Sequence, residues 1–309
     1  MSLSLKKNRP RATLVRHRAV DLKALSPAAL IRALGLPSGS PIVLLDSAGG
    51  SPDLCRYTFL AWDPRLEASV RSGKATVTAE GGRYSRLVSS PFPFFRELLE
   101  ELKPEASPSA DEIGLPLTGG AFGLVSYDAG RYIEKLPELA ADDLAIPEFH
   151  FIFPRRLICY DHHNSRAHIL IEDPDPGDLA EVEKALLSQS GAPVAALPDA
   201  FERHAFSSSA ATRSNMTGES FRHMVRRAKE YIAAGDIFQS NLSQRLELDF
   251  AGDSLGLYEA LSAVNPSPFA GYLDFGDYQI ISSSPERLVQ LSGRRAQTRP
   301  IAGTRRRGI

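Results

Sequence analysis

The residues best able to do chemistry lie in the last third of the chain. Glu286 follows Ser284 and Pro285 at the end of an apolar run, where a carboxylate can be desolvated and used as a general acid or base. From spacing alone, a surface glutamate paired with Arg287 is the better reading of this side chain. A second grouping is PIAGTRRRG, with Arg294, Arg295 and Arg299 just before it. There Gly303 and Gly308 let backbone amides approach a ligand and Thr304 offers a hydroxyl. The arginines can grip carboxylates or phosphates with paired hydrogen bonds. This chemistry suits a small dianionic substrate, and its bland alternative is a solvated basic tail. Aromatic residues do not interleave with these arginines, which argues against stacked nucleic-acid bases. A third grouping, GDIFQSNLSQR, puts Gln239, Asn241, Ser243, Gln244 and Arg245 on what reads as a partly buried strand. Buried amides need partners, so these residues read better as a structural network than as a site.

Other motifs carry less. His162-His163 precedes Asn-Ser in an expected turn without metal-ligand spacing, so both histidines are expected to face solvent. Ser47 lacks the Gly-x-Ser-x-Gly elbow of a hydrolase. GGAFG is followed by neither the Lys-Ser nor the Lys-Thr of a phosphate loop.

The elements that must position these groups follow from composition and periodicity. The 309 residues are 43% hydrophobic and 24% charged, enough for a sizeable core, and the formal net charge of -1 supplies no global field for nucleic acid or an acidic membrane. Cys55 and Cys159 are far apart and match no disulfide or metal framework, which suits a reducing cytoplasm. The basic start lacks the apolar run of a signal peptide, and no apolar stretch approaches the ~20 residues of a membrane span, so a soluble protein is expected. Helices are expected over Leu22–Leu34, Pro93–Leu102, Asp178–Ser188, a capped stretch from Ser220 to Gly235, and Leu255–Ala263. Strands are expected at PIVLLDSA, RYTFLAWDP, LEASV and KATVTAE. The paired glycines of GGAFGLVSYD suit close backbone approach. FHFIFPRRLICYD with AHILIED forms one expected hairpin, and FAGYLDF with YQIISSS another, turned at Gly276-Asp277. ERLVQLS and RRAQTR read as a last strand pair around a Ser-Gly turn. Domain boundaries are expected at 1–190, a connection at 191–216, and 217–309. The chain ends on a strand and loop with no obvious backbone partners, as though cut.

Together these segments resemble a known family. GDIFQSNLSQR, NPSPFAGYLDFGDYQIISSSPERL and TRPIAGTRRRG, in that order, look like signature segments of the chorismate-using synthases, the anthranilate synthase and aminodeoxychorismate synthase large subunits. LLDSAGGSPDLCRYTFLAWDP and GGAFGLVSYDAGRYIEKLP are similar to that family's amino-terminal domain. The resemblance implies an α+β fold, an antiparallel β-sandwich flanked by helices. It implies that chorismate and magnesium bind in the carboxy-terminal half, and that a glutamine amidotransferase partner supplies ammonia. Gly303 and Thr304 match the family's substrate-contacting Gly-Thr, and Glu286 matches a catalytic glutamate. Ala302 stands where many aminodeoxychorismate synthases carry a nucleophilic lysine. An alanine forms no covalent intermediate, so direct attack by ammonia is what this position permits.

The pattern of the family's tryptophan pocket falls on Ser47, Leu54, Cys55, Arg56 and Tyr57, with Pro268, Phe269 and Ala270. These residues are either such a pocket or a packed interface between sheets. The Asn of SNLSQR, the Arg of SPERL and the Thr of QTRPI favour aminodeoxychorismate synthase, whereas Ala302 favours anthranilate synthase. A non-catalytic binding module is the rival from another class. The magnesium ligands of the resemblance are expected beyond Ile309, and the 309 residues alone are expected to have no synthase activity.

Overall fold

The computed structural model describes residues 14–37, 39–47, 49–51, 54–189, 212–303, 306 and 308. Its β-branched and aromatic runs form a ten-stranded antiparallel sheet in an α+β fold. The strands are β1 (Val15–Asp21), β2 (Ile42–Asp46), β3 (Tyr57–Arg71), β4 (Lys74–Ala79), β5 (Gly82–Leu87), β6 (Phe122–Val125), β7 (Phe149–Asp161), β8 (Arg166–Glu172), β11 (Phe269–Asp274) and β12 (Gln279–Ser284). Along the main path the order is β1-β8-β7-β3-β2-β11-β12, while β4 and β5 extend from β3, and β6 pairs with β7.

The segments RYTFLAWDP and LEASV, expected as two strands, are the two halves of β3. Asp63 takes a positive φ of 54°, Pro64 lies opposite Pro154, and the register shifts before Leu66. Two prolines offer the ladder no N–H, so the strand bends there as at a bulge and then resumes. The bend lets one strand serve two cores. The first half packs Ala61 with Val43, Ile152, Leu157, Cys159 and Leu170. The second half packs Leu66, Ala68 and Val70 against Phe94, Phe95 and Leu98 of helix α2 (Pro91–Glu101). Each of these buried aromatic or leucine side chains contributes roughly 1.5–3 kcal/mol.

Helix α1 is Pro27–Ala33 and not the longer stretch from Leu22. Proline disfavours helix at the residue before it and fits the first turn, so the helix starts at Pro27, while Leu22 donates its N–H to the Ser165 carbonyl at 2.8 Å. After α3 (Ala110–Ile113), helix α4 (Asp178–Ser188) agrees with expectation and buries Val182, Ala185 and Leu186.

The chain divides into two compact units, residues 1–196 with 258–309, and residues 197–257. Most of the expected connection at 191–216 lies outside the described residues. Strands β11 and β12, from the segment read as a second domain, join the sheet through β2, with Ala270 opposite Asp46. In the smaller unit, α5 (Gly218–Ala234) is capped by Thr217, whose Oγ1 accepts from the Ser220 N–H at 3.1 Å. Ser220 is therefore inside the helix and not its cap. Gly235 ends the helix with φ 83°. Of the strand expected in IFQSNLSQRLELDF only β10 (Leu246–Glu247) forms, paired with β9 (Arg213–Ser214). α6 (Ser254–Val264) follows. The last hairpin, β13 (Arg287–Ser292) and β14 (Arg295–Arg299), is a separate two-stranded sheet.

Candidate functional site

The pairing of β2 with β11 brings together two segments more than 200 residues apart in sequence. Ser47, just past β2, donates its hydroxyl to the Tyr57 carbonyl at 2.8 Å. Gly49 donates to the Ser267 carbonyl at 3.3 Å, and a Cβ at Gly49 would stand 2.5 Å from that of Pro266. A Cβ at Gly50, whose φ is 136°, would lie 3.1 Å from the Cys55 sulfur and 3.3 Å from Pro268. The Gly49–Ser51 loop therefore threads between Cys55 and the Pro266–Pro268 segment, which only glycine permits at these two places.

Beneath this loop lies a buried polar network. Asp46, 8% exposed, accepts from the Thr58 hydroxyl at 2.6 Å and from the Tyr258 hydroxyl at 2.7 Å. Thr58 Oγ1 also lies 2.8 Å from His162 Nε2. The single hydroxyl hydrogen of Thr58 goes to Asp46, so the Nε2 of His162 must carry the hydrogen of that second bond. Burial pushes the Tyr258 phenol well above its ordinary value, and the Asp46 charge adds to this. Burial pushes His162 down, outweighing the nearby carboxylates of Asp46 and Asp161. Cys55 is likewise held up by burial and then by Asp46, so its thiol is not an activated nucleophile.

On the outer side, Arg56 donates to Asp161 at 3.2 Å, and its guanidinium lies 4.8 Å from the centre of the Tyr57 ring. Burial would raise the Asp161 carboxyl, but the Arg56 hydrogen bond and the His163 and Asn164 N–H groups outweigh it and hold the carboxyl low. His162 is thus a half-buried member of the network and not the solvent-facing residue expected, while His163 is exposed. Asp46, Thr58 and Tyr258 were not picked out from sequence, and His162 was read as solvent-facing. The available signal was Asp46 itself, a carboxylate closing the apolar run PIVLL.

The second group of sequence-derived residues is arranged differently. Glu286 stands just past β12, exposed, its N–H directed at the Ser284 hydroxyl at 3.5 Å. It is not paired with Arg287, which donates to Gln290 and lays its guanidinium 5.1 Å from the centre of the Phe269 ring. Ala302 and Gly303 are exposed in the loop after β14, and Thr304 lies outside the described residues. Gln239, Asn241, Ser243 and Gln244 are also exposed, contrary to the partly buried strand expected of them. Most of that segment pairs with no neighbouring strand, and Gln244 donates to Ser214 at 2.9 Å. Among the described residues no three His, Cys, Asp or Glu side chains gather to hold a metal ion. They supply no magnesium donor set.

Residues 41–309 match the family model of the chorismate binding enzyme, most of the chain. The chain belongs to the chorismate binding enzyme family. Among members of this family it is 41% identical to anthranilate synthase component 1 of Thermus thermophilus over 193 residues, which are 62% of this chain and 41% of that protein. It is 34% identical to aminodeoxychorismate synthase component 1 of Bacillus subtilis over 273 residues, 86% of this chain and 55% of that one. The crystal structure of anthranilate synthase component I from Streptococcus pneumoniae superposes with a TM-score of 0.58 at 28% identity, covering 79% of this chain and 53% of that one. This chorismate binding enzyme chain spans about half the length of the curated relatives it matches. No helix among the described residues is long and apolar enough to cross a membrane.

Proposed function

We propose that this protein is, or forms part of, the large subunit of a synthase that replaces a ring hydroxyl of chorismate with an amino group. Ammonia would come from a glutamine amidotransferase partner. The observation that carries the reading is the family match over residues 41–309, whose relatives are named as component 1 of two aminating synthases. The favoured product is 4-amino-4-deoxychorismate, on the strength of Asn241, Arg287 and Thr298 in their motifs.

In this reading the Gly303 amide and the Thr304 hydroxyl hold a substrate carboxylate, and Glu286 moves a proton. Ala302 has no amine to attack the ring, so ammonia does so itself. A carbon–nitrogen bond forms, the ring carbon–oxygen bond breaks, and the hydroxyl leaves as water with a proton given up by the nitrogen. Magnesium is the cofactor that the resemblance implies. The cluster of Ser47, Leu54, Cys55, Arg56 and Tyr57 with Pro268, Phe269 and Ala270 is proposed as a pocket for tryptophan, its loop held by the Asp46 network. A second reading, anthranilate as product, is favoured by Ala302 and by the names of several relatives.

Product analysis tests both. The full product of the coding sequence is given chorismate, magnesium and excess ammonium ions. A compound that a lyase then converts to 4-aminobenzoate supports the first reading. Directly formed, fluorescent anthranilate overturns it in favour of the second. If no chorismate is consumed, both fail.

A further inference from the structure

A cavity of about 280 Å³ opens in the larger unit, away from the Ser47 loop and from Glu286. Its apolar wall comes from Val15, Leu99, Leu102, Phe153, Leu157 and Leu170, contributed by β1, α2, β7 and β8 and the end of α2. Its polar lining is biased to one sign, with Arg65, Lys103 and Arg155 against the single carboxylate of Glu172. Arg65 is committed to the wall, since it is paired with Glu172, both nearly buried, and donates to the Leu102 carbonyl at 2.9 Å. Arg155 pairs outside the cavity with the exposed Glu80 at 3.0 Å. Lys103 has no ion-pair partner among the described residues. Gly119 and Gly120 complete the rim, where nothing lies within 4 Å of either ideal Cβ position, so the mouth is open on that side. Across from them Ser107 donates to the Thr118 hydroxyl at 3.2 Å, tying the rim's two loops together.

The ion pair of Arg65 and Glu172 closes the floor electrically, and the surplus is the cation at the mouth. An apolar chamber with a cation at its entrance selects a ligand with an apolar body and one negative end. A bare anion leaves the leucine and phenylalanine wall unfilled, and a neutral apolar molecule leaves Lys103 unanswered. The volume falls at the low end for small-molecule sites, which limits the body to about one ring.

We propose that this cavity is a binding site for a small aromatic monocarboxylate, its ring against Phe153, Leu157 and Leu170 and its carboxylate at Lys103. The proposal does not depend on the synthase reading. Benzoate is the probe, with benzamide as its neutral isostere and inorganic phosphate as a bare anion, followed by saturation-transfer NMR and calorimetry on the whole chain. Saturable benzoate binding is expected, at least tenfold tighter than benzamide and not displaced by equimolar phosphate. Lys103→Glu should weaken it about tenfold or more, and Leu99→Trp, which fills the mouth, should abolish it. Both positions are exposed, so circular dichroism is expected to show both variants folded. The absence of saturable binding up to roughly 10 mM benzoate overturns the site. So does binding that survives both substitutions, or that benzamide or phosphate matches.

Discussion

Replacing Tyr258 with phenylalanine removes one oxygen from the buried network behind the Ser47 loop and changes little else. Tyr258 is 2% exposed and its hydroxyl donates to Asp46 at 2.7 Å. The ring remains packed, tilted against Tyr272 with centroids 6.0 Å apart, so the apolar contribution is retained. What is lost is a hydrogen bond to a buried carboxylate, which keeps only the Thr58 hydroxyl as a side-chain donor at 2.6 Å. A hydrogen bond to a charged group is worth ~1.5–3 kcal/mol, and stranding one lobe of a buried carboxylate falls in the same range. A loss of about 2 kcal/mol is therefore expected. Urea unfolding can be followed through Trp62, the chain's single tryptophan, which is 2% exposed within β3 and lies opposite Ile42 of β2. The reporter thus shares β3 with Thr58 of the network. The double substitution with Asp46→Asn should show a coupling of at least ~1 kcal/mol between the positions. If Tyr258→Phe unfolds within ~0.3 kcal/mol of the parent, or the two substitutions simply add, Asp46 does not depend on this contact and the account of the network is wrong.

Further outcomes follow from the same geometry. His150, 6% exposed, lies between Glu67 and Tyr278 at 2.7 Å on either side, so Tyr278→Phe strands one ring nitrogen and should cost roughly 1–3 kcal/mol in urea unfolding. An added Cβ at Gly123 meets the His150 carbonyl oxygen at 2.0 Å and the Phe151 Cα at 2.7 Å. Gly123→Ala should accordingly break the pairing of β6 with β7 and cost ~1–3 kcal/mol, whereas Gly119→Ala should stay within ~0.5 kcal/mol. Burial pushes His17, His162 and His168 below their ordinary value, the last also through its neighbour His17. The unfolded chain then binds protons that the folded one refuses. Stability is fully present above pH ~6.5 and falls as the pH drops below it, so the melting temperature should be lower at pH 5.5 than at 7.5. A melting temperature unchanged over that interval contradicts the burial of these rings. On the proposed function, Glu286→Gln should lower kcat for chorismate amination by about two orders of magnitude with chorismate binding retained, the loss typical of removing one proton-transferring group.

Local chemistry alone determined several parts of this molecule. Asp178–Ser188 is a helix because its apolar residues recur at helical spacing. The hairpin of β11 and β12 turns where Gly276 must take φ 83°, and Gly235 ends α5 with the same backbone hand. The motif order from GDIF to RRRG pointed to the family by residue identity. Tertiary structure decided the rest. That β3 runs on through Asp63-Pro64, instead of ending there, depends on β7 presenting Pro154 opposite, a partner some 90 residues away. The strand expected in FQSNLSQR fails because a strand needs a neighbour, and most of that segment has none in its unit. Gly50 and Pro268 become neighbours only because β2 pairs with β11, and Asp46 gains Tyr258 from 212 residues away. Sequence patterns report which face of an element is apolar, and not which distant element covers it. The network behind the Ser47 loop gains His162 and Tyr258 through such distant choices.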